Sequence, residues 1–264
     1  MTRISVRDLA DFKQSKKRFT MLTSYDSLTA SLFDEAGIPV LLVGDSAANL
    51  VFGYDSTLPV TVEDMLPIVS AVARSSKNAM VVADMPFGSY QTSSTVALES
   101  ATSFLKAGAH AVKLEGGQRV AETVSQLVES GIPVMGHIGL TPQSVNVFGG
   151  YKVQGRGEQA ESLLQDAKSL ENSGAFAIVL EAIPSELAKQ ITKSISIPTI
   201  GIGAGSDTDA QVMVWQDLVG LTAGPKPKFV KNYLNLRVQV EKAVKEFSSD
   251  VASGKYPDKD HSYE

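Results

Sequence analysis

Several short apolar runs in this chain stop at a residue able to carry a charge or move a proton. In order they end at Asp26 ("LTSYD"), Asp45 and Ser46 ("LLVGDS"), Asp84 ("MVVADMP"), Lys113 and Glu115 ("AVKLEGG"), His137 ("VMGHIG") and Glu181 ("IVLEAIP"), and one more ends in the glycines of "GIGAG". Carboxylates gathered on one rim repel one another unless a cation, a proton or a basic group sits among them. With three His and no Cys in the whole chain, a site of oxygen ligands suits a hard ion such as Mg²⁺ and argues against zinc. Lys113 and Glu115 lie two residues apart, so strand alternation turns both to one side. A buried Lys there either neutralises Glu115 or binds a substrate carboxylate. Each residue also has a plainer use. A strand-end Asp such as Asp26 often caps the next helix, His137 alone reads as a structural histidine, and "GIGAG" is either a phosphate-binding turn or a set of glycines that permits close packing.

These residues form a site only if one architecture brings the run ends together. A helix-like stretch, then a Gly, then a β-branched apolar run recurs: "DEAG" before "IPVLLVGDS", "LKAG" before "AHAVKLEGG", "VESG" before "IPVMGHIGL", "ENSG" before "AFAIVLEAI". Each Gly stands where a helix ends in a left-handed residue, ahead of a strand buried on both faces. Adding "RFTMLTSYD", "AMVVADMPF", "SIPTIGIGAG" and the weaker "DLVGLTAG" brings the strands to eight. The segments "TVEDMLPIVSAVARSS", "STVALESATSFLKAG" and "GEQAESLLQDAKSLENSG" space apolar residues by three and four, as helices that cover a sheet do. Thr61 with Asp64, and Ser206 with Asp209, are placed to start helices.

Eight such units in 264 residues, 43% hydrophobic and without a Pro/Gly/Ser-rich linker, predict an α/β fold with one (β/α)₈ barrel domain over residues 1–264, although an open doubly wound sheet uses the same elements. The helical segment "SVRDLADFKQ" would precede strand one and plug the barrel bottom or meet a neighbouring subunit, and a helical extension closes the chain. A net charge of −5 without a basic block points away from nucleic acid and anionic membranes and towards small molecules. The polar N-terminus and the short apolar runs lead to the expectation of a cytoplasmic protein. Catalytic groups would sit where the strands end. The Gly-rich connection "GLTPQSVNVFGGYKVQGRGEQ" is too long for a plain link, and either covers that face or contacts another subunit.

Together "LLVGDS", "GYDSTLPVT", "VVADMPFGSY", "AVKLEGG", "GHIGLTPQSVNVFGGYKVQGR", "VLEAIP" and "IGIGAG" resemble the ketopantoate hydroxymethyltransferase family, in the expected order along nearly the whole chain. The resemblance implies a TIM barrel of the phosphoenolpyruvate/pyruvate type. It also implies transfer of a hydroxymethyl group from 5,10-methylenetetrahydrofolate to 3-methyl-2-oxobutanoate, giving 2-dehydropantoate in the first step of pantothenate biosynthesis, with Mg²⁺ and a homo-oligomer, typically a decamer. Carried onto this chain, it puts Asp45, Asp84 and Glu115 around Mg²⁺, and Ser46 and Lys113 at the substrate carboxylate with Asp45 and Asp84 beside them. Glu181 becomes the general base. The chain departs from some members at Ala47, Ala48 and Asn49 after "VGDS", and at "AGPKPKF", which lacks a histidine. Another Mg²⁺-dependent 2-oxo-acid lyase or mutase on the same barrel, or a barrel without catalysis, is the alternative expectation.

Overall fold

Strands that read as continuous apolar runs need cover on both faces, and a closed barrel supplies it. The computed structural model describes residues 3–263. Among them β1 (Phe19–Thr23), β2 (Val40–Val43), β3 (Met80–Asp84), β4 (Ala111–Glu115), β5 (Val134–Gly139), β6 (Ala177–Glu181), β7 (Thr199–Ile202) and β8 (Ala210–Met213) form a closed parallel barrel in sequence order. The ring closes through Phe19 to Ala210 and onward to Leu22 opposite Met213. The helices are α1 (Val6–Gln14), α2 (Ser27–Glu35), α3 (Ala47–Leu50), α4 (Val62–Ser75), α5 (Ser94–Lys106), α6 (Ala121–Glu129), α7 (Val145–Phe148), α8 (Gln159–Asn172), α9 (Ser185–Ser194), α10 (Trp215–Leu218) and α11 (Leu236–Ala252). Contacts divide the chain into two compact units, one through Met213 and one from Val214 onward. In the second, Leu218 and Val219 carbonyls accept from the Tyr233 and Leu236 amides, and Phe247 on α11 stacks edge-on against Tyr256.

The four repeated glycines are helix terminators as expected, each with positive φ: Gly37 at 82°, Gly108 at 108°, Gly131 at 84° and Gly174 at 89°. Thr61 and Asp64 form a reciprocal capping box on α4, and Ser5 with Asp8 does the same on α1. α1 plugs the barrel bottom. Its Leu9 is fully buried in one cluster with Phe19, Val40, Met80, Ala111 and Ala210, which stand at the entering ends of their strands.

One part of the sequence reading is corrected. The eighth strand is "AQVM", and "DLVGLTAG" instead holds the end of α10 and a turn at Gly220, whose φ is 67°. No helix separates β7 from β8, so Ser206 and Asp209 cap nothing. Asp209 instead accepts from the Thr199 amide (2.9 Å) and pairs with Lys13 of α1 (2.9 Å), tying the plug to the sheet.

Entry into β3, the strand that ends at Asp84, depends on a buried carboxylate in α2. Asp34 accepts from the amides of Lys77 (3.0 Å), Asn78 (2.8 Å) and Ala79 (2.6 Å), and from the Asn78 side chain (3.0 Å). Burial works to raise its pKa, but these bonds win and lower it. Asp34→Ala is expected to cost about 2–4 kcal/mol, because it strands the buried Ala79 amide and three part-buried donors at once. Urea unfolding checks this, and an unchanged midpoint would remove the clamp from the account.

Candidate active site on the barrel rim

The inward residues of the strands change character along the barrel. Met80 and Val82 lead to Asp84, Ala111 to Lys113 and Glu115, Met135 to His137, and Ala177 and Val179 to Glu181. Alternation by two keeps these sets on one face, so the lower layers are apolar and the upper layer is charged. Register does the rest. Asp84 lies opposite Lys113, Glu115 opposite His137, and Glu181 opposite Gly139.

Lys113 stands among the carboxylates. Its Nζ is 2.6 Å from Asp84 Oδ1 and 4.0 Å from Glu115 Oε1, and both of the closely paired side chains are almost wholly buried. Burial alone would lower the Lys113 pKa, but Asp84, Glu115 and Asp45 outweigh it and hold the ammonium above its ordinary value. Asp45 is pushed up to about 7, first by burial and then by the Asp84 charge. Glu115 is raised well above the carboxylate range, again chiefly by burial. Its Oε1 is buried without a hydrogen-bond partner.

Glu181 stands at the edge of this cluster, its side chain 16% exposed, and burial pushes it up to about 7. His137 lies between it and Glu115: Nε2 is 3.3 Å from Glu181 Oε2 and Nδ1 is 3.5 Å from Glu115 Oε1. Neither ring nitrogen meets hydrogen-bond geometry with a carboxylate. Burial, followed by the Lys113 charge, lowers the His137 pKa well below its usual value, so the ring is neutral. A neutral imidazole between two carboxyl groups can relay a proton between them. The reading of His137 as a structural histidine therefore gives way to a place inside the site.

Two side chains that sequence reasoning missed hold the cluster in shape. Gln143, just after β5, donates from its amide nitrogen to Glu115 Oε2 (3.0 Å) and from Nε2 to Asp45 Oδ2 (3.0 Å) and the Met85 carbonyl (3.0 Å). Tyr90 donates to Gln143 Oε1 (2.7 Å) and accepts from the Glu115 amide (3.1 Å). The only signal for Gln143 was its position in the long Gly-rich connection, which therefore does shape the site. Ser46 Oγ shares a hydrogen bond with Tyr25 Oη (2.7 Å). Asp26 is outside the cluster and caps α2 through the Thr29 amide (2.8 Å). The "GIGAG" glycines serve packing, since a Cβ on Gly205 would lie 2.5 Å from Ser185 Cβ, and one on Gly201 would lie 2.7 Å from Thr208 Oγ1.

The donor set bears on a hard divalent ion in two ways. Among the described residues no three His, Cys, Asp or Glu side chains converge as a ready cage, and Lys113 supplies the cation between Asp84 and Glu115. Yet Mg²⁺ commonly takes one or two carboxylates and completes its shell with water and substrate oxygens. The orphaned Glu115 Oε1 and the raised Asp45 fit that looser mode.

A closed parallel barrel of eight strands whose titratable groups crowd the C-terminal rim, where such folds build their active sites, defines the class, a (β/α)₈ barrel enzyme. The fold is similar to phosphonopyruvate hydrolase, solved as a complex with oxalate and Mg²⁺ (TM-score 0.63, 14% identity, 99% of this chain and 93% of that chain). It is also similar to 2,3-dimethylmalate lyase, a member of the PEP mutase/isocitrate lyase superfamily (TM-score 0.58, 17% identity, 99% and 92%). The particular family is carried by sequence: residues 3–259 match the model for ketopantoate hydroxymethyltransferase, and the chain belongs to that family of one-carbon transferases. It is 60% identical to 3-methyl-2-oxobutanoate hydroxymethyltransferase of Thermobifida fusca (99% of this chain, 94% of that protein), and 57% identical to the enzyme of the same name from Acidothermus cellulolyticus (99% and 97%).

The raised Glu181 makes a measurable demand on folding. The folded protein keeps this proton up to about pH 7, whereas the unfolded chain releases it near the ordinary value of 4.5. Between those values the native state binds more protons, so this share of stability is full below the lower value and lost as pH rises through the upper one. Glu181→Gln is therefore expected to gain stability over the parent protein as pH climbs from about 4.5 to above 7, by up to about 3 kcal/mol. Urea midpoints across that range check it, and parallel curves for the two proteins would contradict the shift.

Proposed function

We propose that the protein transfers the one-carbon unit of 5,10-methylenetetrahydrofolate to C3 of 3-methyl-2-oxobutanoate, giving 2-dehydropantoate, the first step of pantothenate biosynthesis. Family membership supports the overall reaction. The observation that carries the division of roles is the Glu181 carboxyl, raised to about 7 and standing apart from the Asp84–Lys113 pair. A base must be unpaired with any cation and close to neutral in pKa to take a weakly acidic C–H proton at physiological pH, and Glu181 has both properties. His137, neutral and with Nε2 3.3 Å from Glu181 Oε2, is placed to relay that proton.

Lys113 and Ser46 bind the carboxylate of the 2-oxo acid. For Lys113 this means sharing its ammonium between Asp84 and the substrate, which its three N–H donors permit. Mg²⁺, held through Asp45, Asp84 and Glu115, directly or through water, would supply Lewis-acid polarisation of the keto group. Gln143 keeps Asp45 and Glu115 from swinging apart when the site charges. After the proton leaves, C3 bonds to the methylene carbon as one of its two C–N bonds to the folate breaks with its electron pair on nitrogen, which takes up the proton removed from C3. Water then displaces the second nitrogen, leaving its hydroxyl on the carbon and its other proton on that nitrogen.

We also infer a cytoplasmic homo-oligomer, such as a decamer. Exposed apolar side chains along α11, among them Val240, Val244 and Phe247, support self-association, and among the described residues no helix is long and apolar enough to cross a membrane.

The test is deuterium exchange at C3 of 3-methyl-2-oxobutanoate in heavy water with Mg²⁺, with and without the folate. Exchange together with folate-dependent 2-dehydropantoate supports the reading, exchange without that product indicates a lyase or mutase, and no exchange indicates a barrel without this chemistry. Glu181→Gln is expected to lower exchange by roughly 10²-fold or more while Mg²⁺-dependent binding of the 2-oxo acid persists in calorimetry. Near-parental exchange would take the base role away from Glu181. Asp84→Asn should weaken that Mg²⁺-dependent binding, and an unchanged metal dependence would remove Asp84 from the ligand set.

A further inference from the structure

Beside the charged rim lies a cleft of about 320 Å³ that the chemistry above does not use. It runs between the turn after β4, the start of the β5 connection and α8, and its size falls at the lower end of the range of about 300–1,000 Å³ typical of small-ligand sites. Its inner wall is continuous with the site. Gly116 follows Glu115 directly, and Gly139, the register partner of Glu181, presses so closely on that strand that a Cβ would lie 2.3 Å from the Glu181 carbonyl oxygen.

The lining is chemically divided. Ile138, Phe148 and Leu163 offer apolar surface, while Gln154, Gln159 and Asp166 offer polar groups. Asp166 is held in place from one side: its Oδ1 accepts from the Gln118 amide at 2.8 Å. Gly117 makes room for it, since a Cβ there would lie 1.9 Å from Asp166 Cγ. Asp166 Oδ2 has no hydrogen-bond partner among the described residues. A cleft with apolar side chains and a carboxylate in its lining suits a heterocycle that presents adjacent N–H donors, as carboxylates accept paired N–H groups well.

We propose that this cleft seats the pteridine end of the folate, with Asp166 accepting from its 2-amino group and ring N–H. The assignment rests on the folate reading above and adds where the co-substrate lies. It puts the reactive bridge of the folate towards the Gly139 wall, next to the strand that ends at Glu181.

The experiment is calorimetric titration of the intact protein with 5-formyltetrahydrofolate, a stable analogue, alongside folate-free deuterium exchange into 3-methyl-2-oxobutanoate. Asp166→Asn keeps an oxygen for the Gln118 amide but replaces the free acceptor by a donor. It is expected to weaken folate binding, and to raise KM for the folate, by roughly tenfold or more. Ser162→Trp, on the exposed face of α8 at the edge of the cleft, is expected to weaken binding by filling it. Folate-free exchange should persist in both. Unchanged folate affinity in both variants would overturn the assignment, as would a parallel loss of exchange, which would mean that Asp166 serves the rim rather than the ligand. If the parent protein exchanges C3 but neither binds nor uses the folate, the co-substrate reading itself fails, and the parent's behaviour alone distinguishes that result.

Discussion

Everything at the barrel mouth depends on one buried ion pair, Lys113 with Asp84 at 2.6 Å. Four carboxyl groups, Asp45, Asp84, Glu115 and Glu181, share a small space where water is scarce. Taking such charges out of water costs several kcal/mol each unless partners compensate. The ammonium makes the arrangement tolerable, and it does so unevenly. It stands closest to Asp84, farther from Glu115, and leaves Asp45 and Glu181 to relieve the repulsion by holding protons near neutrality. Unequal compensation lets one group of similar carboxylates divide into an ion-paired member, candidate ligands and a candidate base.

That division is possible because the barrel is graded along its axis. Leu9 and the entering residues of the strands make the bottom a dense apolar plug, which carries the stability and tolerates no charge. The same alternation that points Met80 and Val82 inward must point Asp84 inward two residues later. Rigid neighbours complete the arrangement: Gln143 bridges Asp45 and Glu115, and Tyr90 holds Gln143. Preorganised groups of this kind hold charges where a reaction needs them without reorganising during the step.

Much of this was legible in the chain. The repeated Gly before each β-branched run marked helix ends and strand starts, because only a residue without Cβ takes positive φ cheaply, and seven of the eight strands follow from that signal with apolar runs. The eighth did not. "AQVM" is short, and its Gln211 is exposed, so nothing local marks it as a strand. It becomes one because β1 and β7 present unpaired edges that it alone can close. The apolar look of "DLVGLTAG" misled for the converse reason: apolar residues also serve a short helix and its turn.

The sequence by itself determined the barrel, the residues that end its staves, and, by family likeness, the chemistry to expect of them. Strand periodicity and helix punctuation are local properties, so they survive in a one-dimensional reading. Only the tertiary structure decided what those end residues do to one another. It separated Asp26, a helix cap, from Asp45; it drew His137 between two carboxylates; and it brought Gln143 across 98 residues of chain to Asp45. The physical reason is that charge, burial and proton affinity depend on distance in space, and closing a barrel sets those distances by register between strands far apart in sequence.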